Sequence, residues 1–183
     1  KDLAIETLTK AGWLASPEPS AEVGDKKGED GILMKKDEKL TIKLTTSTWP
    51  ELIEVASSIK EQWKELGINL EIETLPTPDL QQAIKDRNYQ ILLFGEIISL
   101  DPDPFTLWHS SQKRDPGLNL ALYDNKATDT ILEEARKTLN PLERAKKYND
   151  FEVLISDDIP ALFLYSPYYL YGHSKNIKGF KNK

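Results

Sequence analysis

Residues 89–111, YQILLFGEIISLDPDPFTLWHSS, carry the features that decide the fold of this chain. The stretch opens with a short apolar run, residues 90–94, whose length and composition are typical of a buried β-strand. Gly95 then permits a turn of the backbone, and Pro102 and Pro104 do not fit a helix interior or a central strand. A buried strand that leads into a stiff polar loop is how an open α/β sheet presents a binding site.

The loop after this strand supplies the candidate site. We expect the end of the strand to form the floor of a cleft, the polar loop to form its rim, and the residues beyond the loop to add stacking and polar contacts. The candidate ligand-binding residues are Phe94, Gly95, Glu96, Ser99, Asp101, Asp103, Trp108 and His109. The alternative interpretation is an ordinary solvated loop whose aromatic side chains cover the core.

The segments before this stretch predict alternating strands and helices. They are a β-hairpin over residues 31–46, a helix over 50–66, a strand over 68–75, a short helix over 80–87 and the strand over 90–94. This order predicts two right-handed crossovers and a mainly parallel sheet flanked by helices, an α/β fold. Because parallel strands end at one edge, residues 45–49, 75–79 and 95–104 are expected to converge on a ligand.

The remaining segments complete a single α/β unit over residues 1–183. They are a helix over 2–11, a mobile loop over 16–30 that is rich in Pro, Ser, Gly, Glu and Lys, a loop over 113–125, helices over 126–139 and from Pro141, short strands over 161–165 and 168–171, and a basic tail over 175–183. In the loop over 113–125, Asn119 and Tyr123 either orient a ligand or satisfy backbone groups.

Composition narrows the classes of function. The chain has 183 residues and a net charge of −6, and this charge argues against nucleic acid or an anionic membrane as the main partner. It contains no cysteine, which excludes disulfides, thiol catalysis and thiolate metal sites. No apolar run is long enough to span a bilayer.

The residue patterns favour binding over catalysis. Asp101 and Asp103 form a carboxylate pair near Glu96, but acid–base catalysis needs two carboxyl groups in different environments. The only histidines, His109 and His173, do not lie four residues from another strong ligand, so no zinc site is predicted. We therefore predict no enzyme activity, no metal and no cofactor. A hydrolase that uses Asp101 and Asp103 is the less favoured alternative.

Several segments occur together in the order seen in a known family. They are Ala11-Gly12-Trp13, IKEQWKELGI over residues 59–68, the strand leading into DPDP over 101–104, the helix start Glu143-Arg144-Ala145, DIPALFLY over 158–165 and IKGF over 177–180. This set covers nearly the whole chain. It resembles the carboxyl-terminal lobe of the extracellular solute-binding proteins of family 5, the oligopeptide- and dipeptide-binding components of ABC importers.

The resemblance implies one lobe of a two-lobed, periplasmic-binding-protein-like (type II) fold that closes on its ligand. This chain is then expected to be a fragment that lacks the first lobe. The implied function is the capture of extracytoplasmic oligopeptides for delivery to an ABC permease in the membrane. Family members are exported to the periplasm or the outer face of the cell membrane, and in many bacteria they are lipid-anchored.

One departure from the family pattern concerns the cargo. In well-known peptide binders the glycine after the central strand is followed by a tryptophan, and shortly after by an aspartate that pairs with the amino terminus of the peptide. Here Gly95 matches, but Glu96 replaces the tryptophan and Ser99 stands near the place of the aspartate. Glu96 can supply the lost charge. A nickel chelate, an opine or an oligosaccharide remains an alternative cargo.

Overall fold

The computed structural model describes residues 1–15, 31–97, 103–168, 170–177 and 179. Its elements, in chain order, are α1 (Asp2–Lys10), β1 (Met34–Lys35), β2 (Glu38–Lys39), β3 (Thr41–Ser47), α2 (Pro50–Lys64), β4 (Asn69–Leu75), α3 (Thr77–Asp86), β5 (Ile91–Leu92), α4 (Phe105–Trp108), a 3-10 turn (Ser110–Gln112), α5 (Lys126–Lys137) and α6 (Pro141–Asp158). Within the described ranges, no helix combines the length and apolar character that a bilayer crossing requires.

The central sheet has three parallel strands in the order β4-β3-β5. Strand β3 pairs with β4 along its whole length, from Thr41 opposite Asn69 to Ser47 opposite Leu75, and it pairs with β5 on its other side. Helices α2 and α3 form the two crossovers. The α/β fold class and the strand–helix alternation predicted from the sequence are therefore confirmed.

The first core lies between the sheet and α2. Leu44, Ala56, Leu70 and Leu93 are buried there, and partly buried apolar side chains of α2 pack around them. Pro50 occupies the first turn of α2, where its missing N–H leaves no helical bond unmade. The apolar face that predicted this helix is therefore the face that covers the sheet.

The second core lies between α5 and α6. Tyr123, Leu132, Phe151 and Ile155 are buried there. Both helices begin with an asparagine whose side chain accepts hydrogen bonds from backbone N–H groups of the first turn, Asn125 in α5 and Asn140 in α6. These caps satisfy donors that have no partner inside the helix.

The hairpin differs from the one predicted over residues 31–46. Only Met34–Lys35 and Glu38–Lys39 form an antiparallel pair, and Thr41–Ser47 joins the parallel sheet. The alternation in the second arm correctly indicated a half-buried strand. Its partner is instead supplied by β4, because pairing with β4 aligns the apolar side chains of both strands under α2.

The predicted strands over 161–165 and 168–171 form no ladder among the described residues. Most of the described apolar side chains of these segments are exposed, with Phe163 at 77% and Leu170 at 91%. A strand needs a hydrogen-bonding neighbour, and no described segment offers one here. The loop over 16–30 and residues 178 and 180–183 of the predicted tail lie outside the described residues.

Candidate functional site

The three parallel strands end at one edge of the sheet, formed by residues 47–51, 75–79 and 93–97, which we name the carboxyl edge. Hydrogen bonds extend the pairing of β3 and β5 up to this edge. The Leu93 N–H donates to Thr45 O at 2.9 Å, and the Thr46 hydroxyl donates to Leu93 O at 2.9 Å. Both threonines are fully buried, so their hydrogen bonds to Leu93 are shielded from water and fix the backbone at the start of the 94–97 segment.

Phe94, Gly95 and Glu96 follow β5 and lie together at the carboxyl edge, and the predicted strand over 90–94 is shorter in the structure, where β5 is Ile91–Leu92. All three are exposed. Surrounding protein atoms nevertheless remove part of the water around the Glu96 carboxyl, and this desolvation raises its pKa above the ordinary value. A carboxylate in that state gains more from a cationic partner than a fully hydrated one does.

Asp103 anchors the end of the predicted rim. Its Oδ1 accepts from the Phe105 N–H at 3.2 Å, and its Oδ2 accepts from Arg136 Nε at 2.8 Å and Nη2 at 2.5 Å. The Arg136 guanidinium also lies 3.9 Å from the centre of the Phe105 ring. Asp103 therefore joins the start of α4 to the last turn of α5.

Trp108 packs into the second core. Its ring lies 6.3 Å from Tyr123, 6.4 Å from Phe151 and 6.0 Å from Phe163, measured between ring centroids. This aromatic cluster joins α4 to α6 and to the C-terminal segment. These neighbours contact part of the ring, and its stacking contact with a ligand remains a prediction.

His109 is buried and stacked on Phe105, with ring centroids 4.1 Å apart. Its Nδ1 accepts from the Ser111 N–H at 3.1 Å. Its Nε2 has no hydrogen-bond partner and lies 3.4 Å from Glu133 Oε1 and 3.8 Å from Asp129 Oδ1. The structure thus groups His109 with Asp103 and Trp108 against α5 and α6.

The rim residues Ser99 and Asp101 lie outside the described residues. Within the described ranges, no group of three or more histidine, aspartate or glutamate residues is arranged to hold a metal ion. The Asp103 carboxylate is paired with the Arg136 guanidinium at a partly exposed position.

Asn119 satisfies backbone groups in a buried place. Its Oδ1 accepts from the Tyr123 N–H at 3.0 Å, and its Nδ2 donates towards the carbonyls of Tyr123, His109 and Trp108 at 2.9, 3.1 and 3.2 Å. The side chain is 0% exposed. Of the two roles that the sequence left open for this residue, the structure shows the backbone one.

Trp49 is a residue of the carboxyl edge that sequence reasoning did not single out. Its side chain is 67% exposed, although tryptophan is usually well covered. The only sequence signal was its place between a strand and a helix, within one of the three segments expected to converge. Close by in sequence, Glu51 accepts a hydrogen bond from the Tyr165 hydroxyl at 2.8 Å, which brings the C-terminal segment to the start of α2.

Comparison with protein families gives a match over most of the chain. A family model described as bacterial extracellular solute-binding proteins, family 5 Middle, matches residues 2–117. The oligopeptide-binding protein AppA of Bacillus subtilis is 28% identical over 181 residues, covering 97% of this chain and 31% of AppA. The nickel-binding protein NikA of Staphylococcus aureus is 28% identical over 151 residues, covering 80% of this chain and 30% of NikA.

Solved structures show the same fold. AppA from Bacillus subtilis in complex with a nonapeptide matches with a TM-score of 0.72 and 25% identity, over 87% of this chain and 30% of AppA. NikZ from Campylobacter jejuni in complex with Ni(L-His) matches with a TM-score of 0.67 and 24% identity, over 87% of this chain and 30% of NikZ. The chain thus spans about a third of the length of these relatives.

Proposed function

Because this chain belongs to the bacterial extracellular solute-binding proteins of family 5, we propose that it is the peptide-binding lobe of an ABC importer's substrate-binding protein. The observation that carries the proposal is the similarity to AppA. The sequence match covers 97% of this chain, and the solved structure of AppA contains a bound nonapeptide. Proteins of this family bind solutes, and we propose that this one captures oligopeptides without catalysis.

The proposed binding surface is the carboxyl edge. Phe94 and Gly95 form its floor, and the Glu96 carboxylate accepts a charge-assisted hydrogen bond from the ammonium group of the peptide. Ser99 and Asp101 are proposed for the rim, with Asp103 as its anchored end. Because Trp108 and His109 are packed against α5 and α6, we propose that they support the rim and do not touch the ligand.

We further propose that the chain works as one lobe of a two-lobed protein. It spans about a third of its relatives, and apolar side chains of its C-terminal segment are available to a second lobe, with Phe163 77% and Tyr168 93% exposed. Two lobes that close around a ligand exclude water and strengthen the pairing at Glu96. The proposed location is the periplasm or the outer cell surface, with a lipid anchor, and the proposed partner is an ABC permease.

A nickel chelate is the second candidate cargo. The similarity to NikA of Staphylococcus aureus, 28% over 151 residues, is the observation that favours it. A chelate carried as a preformed complex needs few protein ligands, so the lack of a metal-holding group among the described residues does not bear on it. An opine or an oligosaccharide is a less supported cargo of the same transport role.

Native mass spectrometry of the two-lobed protein, followed by denaturation and identification of the released molecule, tests the proposal. We expect a ladder of short peptides. A released nickel chelate, opine or sugar would replace the peptide proposal while keeping the transport role. Measurable hydrolysis of a bound peptide that Asp103→Asn abolishes would contradict the absence of catalysis.

Isothermal titration calorimetry with Glu96→Gln tests the proposed contact. We expect the affinity for a free-amino peptide to fall by about 2 kcal/mol or more, since the substitution removes one partner of a desolvated charge pair. Glu71→Gln, an exposed position on β4 away from the carboxyl edge, is the matched control. Equal affinities for the native protein and Glu96→Gln would contradict the assignment.

A further inference from the structure

An open groove of about 610 Å³ lies at the end of the sheet opposite the carboxyl edge. Helix α3 leads from the end of β4 back to the start of β5, so its last turn lies at this end and forms one wall. The loop after the 3-10 turn forms the other wall. The charged residues that line the groove are Lys85, Asp86, Arg87, Lys113, Arg114 and Asp115, and we name it the basic groove. Four of these six side chains are basic, although acidic residues outnumber basic ones in the whole chain, 30 to 24.

Arg87 is fixed in the basic groove by backbone carbonyls. Its Nε donates to Lys113 O at 3.0 Å, its Nη2 donates to Gly117 O at 2.7 Å, and its Nη1 donates to Ile84 O. These partners are neutral, so they hold the guanidinium in place without cancelling its charge. A guanidinium has five N–H donors, and the three bonds leave two for a ligand.

The loop that forms the second wall is closely packed. A Cβ added at Gly117 would lie 2.2 Å from the Gln112 carbonyl oxygen, so only glycine fits at this position. The Gly117 N–H donates to Arg114 O at 2.7 Å, and the Tyr89 hydroxyl donates to Leu120 O at 2.7 Å. Because both walls are fixed by bonds inside the protein, a ligand would bind with little ordering of the backbone.

Two further basic side chains of the groove are available to a ligand. Lys85 and Arg114 are exposed, and neither makes an ion pair with another residue in the described part of the chain. Lys113, in contrast, is paired with the Asp124 carboxylate. The two acidic lining residues are exposed as well. Three basic groups without an acidic partner thus stand against two carboxylates, which leaves the groove with a positive surplus.

We propose that the basic groove binds the phosphate group of a small molecule. The planar fork of an arginine matches two phosphate oxygens, and a lysine ammonium adds a compact positive charge. Arg87, Lys85 and Arg114 supply these groups from both walls. Because the chain carries a net charge of −6, its long-range field disfavours a large polyanion, and a small phosphate-bearing molecule fits better than a membrane surface. This site is separate from the peptide contacts proposed at the carboxyl edge.

Titration of inorganic phosphate with the two-lobed protein, followed by phosphorus NMR at low ionic strength, tests the site. We expect saturable binding that Lys85→Gln and Arg114→Gln each weaken by about tenfold, since each substitution removes one charged donor. Lys146→Gln removes an exposed lysine of α6, outside the groove, and should leave the affinity unchanged. Both groove substitutions are at exposed side chains, and an unchanged urea midpoint would show that the fold is kept.

The same phosphate affinity in the native protein, Lys85→Gln and Arg114→Gln would overturn the site, and so would the absence of phosphate binding to the native protein. Neither result would affect the proposed peptide binding, which the released molecules test separately.

Two further probes distinguish the sources of the phosphate group. Tighter binding of glycerol 3-phosphate than of inorganic phosphate, lost in the same two variants, would assign the groove to a phosphate ester. Tighter binding of inorganic phosphate would assign it to the free ion. Sedimentation of the protein with phosphatidylglycerol vesicles that Lys85→Gln and Arg114→Gln abolish, without binding of either small probe, would overturn the small-molecule proposal in favour of a membrane surface.

Discussion

Replacement of Asn119 by alanine should be among the most destabilising single changes in this chain. The side chain is 0% exposed and contacts backbone groups of three residues, Trp108, His109 and Tyr123. Alanine removes the amide that joins the end of α4 to the loop before α5. The carbonyls of Trp108 and Tyr123 and the Tyr123 N–H then lose their amide partner inside the protein.

The size of the loss follows from the number of bonds. The Asn119 amide has two hydrogens shared among three carbonyls and one oxygen that accepts from Tyr123, which amounts to three full hydrogen bonds. Each contributes about 1 kcal/mol net, and buried groups left without partners add to the cost. We therefore expect Asn119→Ala to lower the free energy of unfolding by about 4 kcal/mol.

Urea unfolding followed by tryptophan fluorescence measures this loss, because Trp108 lies beside the network. Asn149→Ala, at an exposed position of α6, is the matched control and should change the free energy of unfolding by less than about 0.5 kcal/mol. Asn119→Asp keeps the shape but presents a carboxylate to carbonyl oxygens, so it should lose stability at neutral pH and regain part of it as the pH falls. A loss below about 1 kcal/mol for Asn119→Ala would refute the reasoning.

Two further predictions concern the second core. Leu132→Ala should lower the free energy of unfolding by about 2–5 kcal/mol, because a side chain that is 1% exposed leaves a cavity; urea unfolding measures it. Hydrogen bonds from the Tyr123 hydroxyl and Asn125 lower the pKa of Asp158, so this carboxylate stabilises the fold above its unfolded pKa and loses that effect as the pH falls through its folded pKa. Asp158→Asn should accordingly reduce the loss of stability in acid, measured as the urea midpoint against pH.

Each of these predictions has its own check. Leu139→Ala makes the same substitution as Leu132→Ala at a side chain that is 96% exposed, and it should have little effect. Similar losses for the two variants would contradict the assignment of Leu132 to a packed core. An acid slope that is the same in Asp158→Asn and in the native protein would show that other carboxyl groups cause it.

The helices and the parallel sheet could be predicted because their signals are local. The apolar period of α2, its first-turn proline and the caps Asn125 and Asn140 lie within a few residues of the groups they affect. The partner of a strand is not local. The arm that begins at Thr41 has the same alternation whether it pairs in a hairpin or with Asn69–Leu75, and only packing under α2 selects the second.

The candidate site divides in the same way. Glu96 could be placed at the end of a strand from sequence, since the strand and the turn after it are read from adjacent residues. Asp103 could not be recognised as an anchor, because its partner Arg136 lies 33 residues away. The packing of Trp108 and His109 likewise depends on Phe163 and Glu133, which the fold brings in from distant segments.

The sequence by itself determined the α/β class, the alternation of strands and helices, and the edge at which a ligand is expected. These follow from side-chain periodicity and backbone restriction, which act between near neighbours. Only the tertiary structure decided which polar groups at that edge are already engaged and which remain free. Hydrogen-bond partners and water exclusion depend on atoms that the fold brings together from distant parts of the chain. Asp103 is therefore bonded to Arg136, whereas the side chains of Trp49 and Glu96 are exposed.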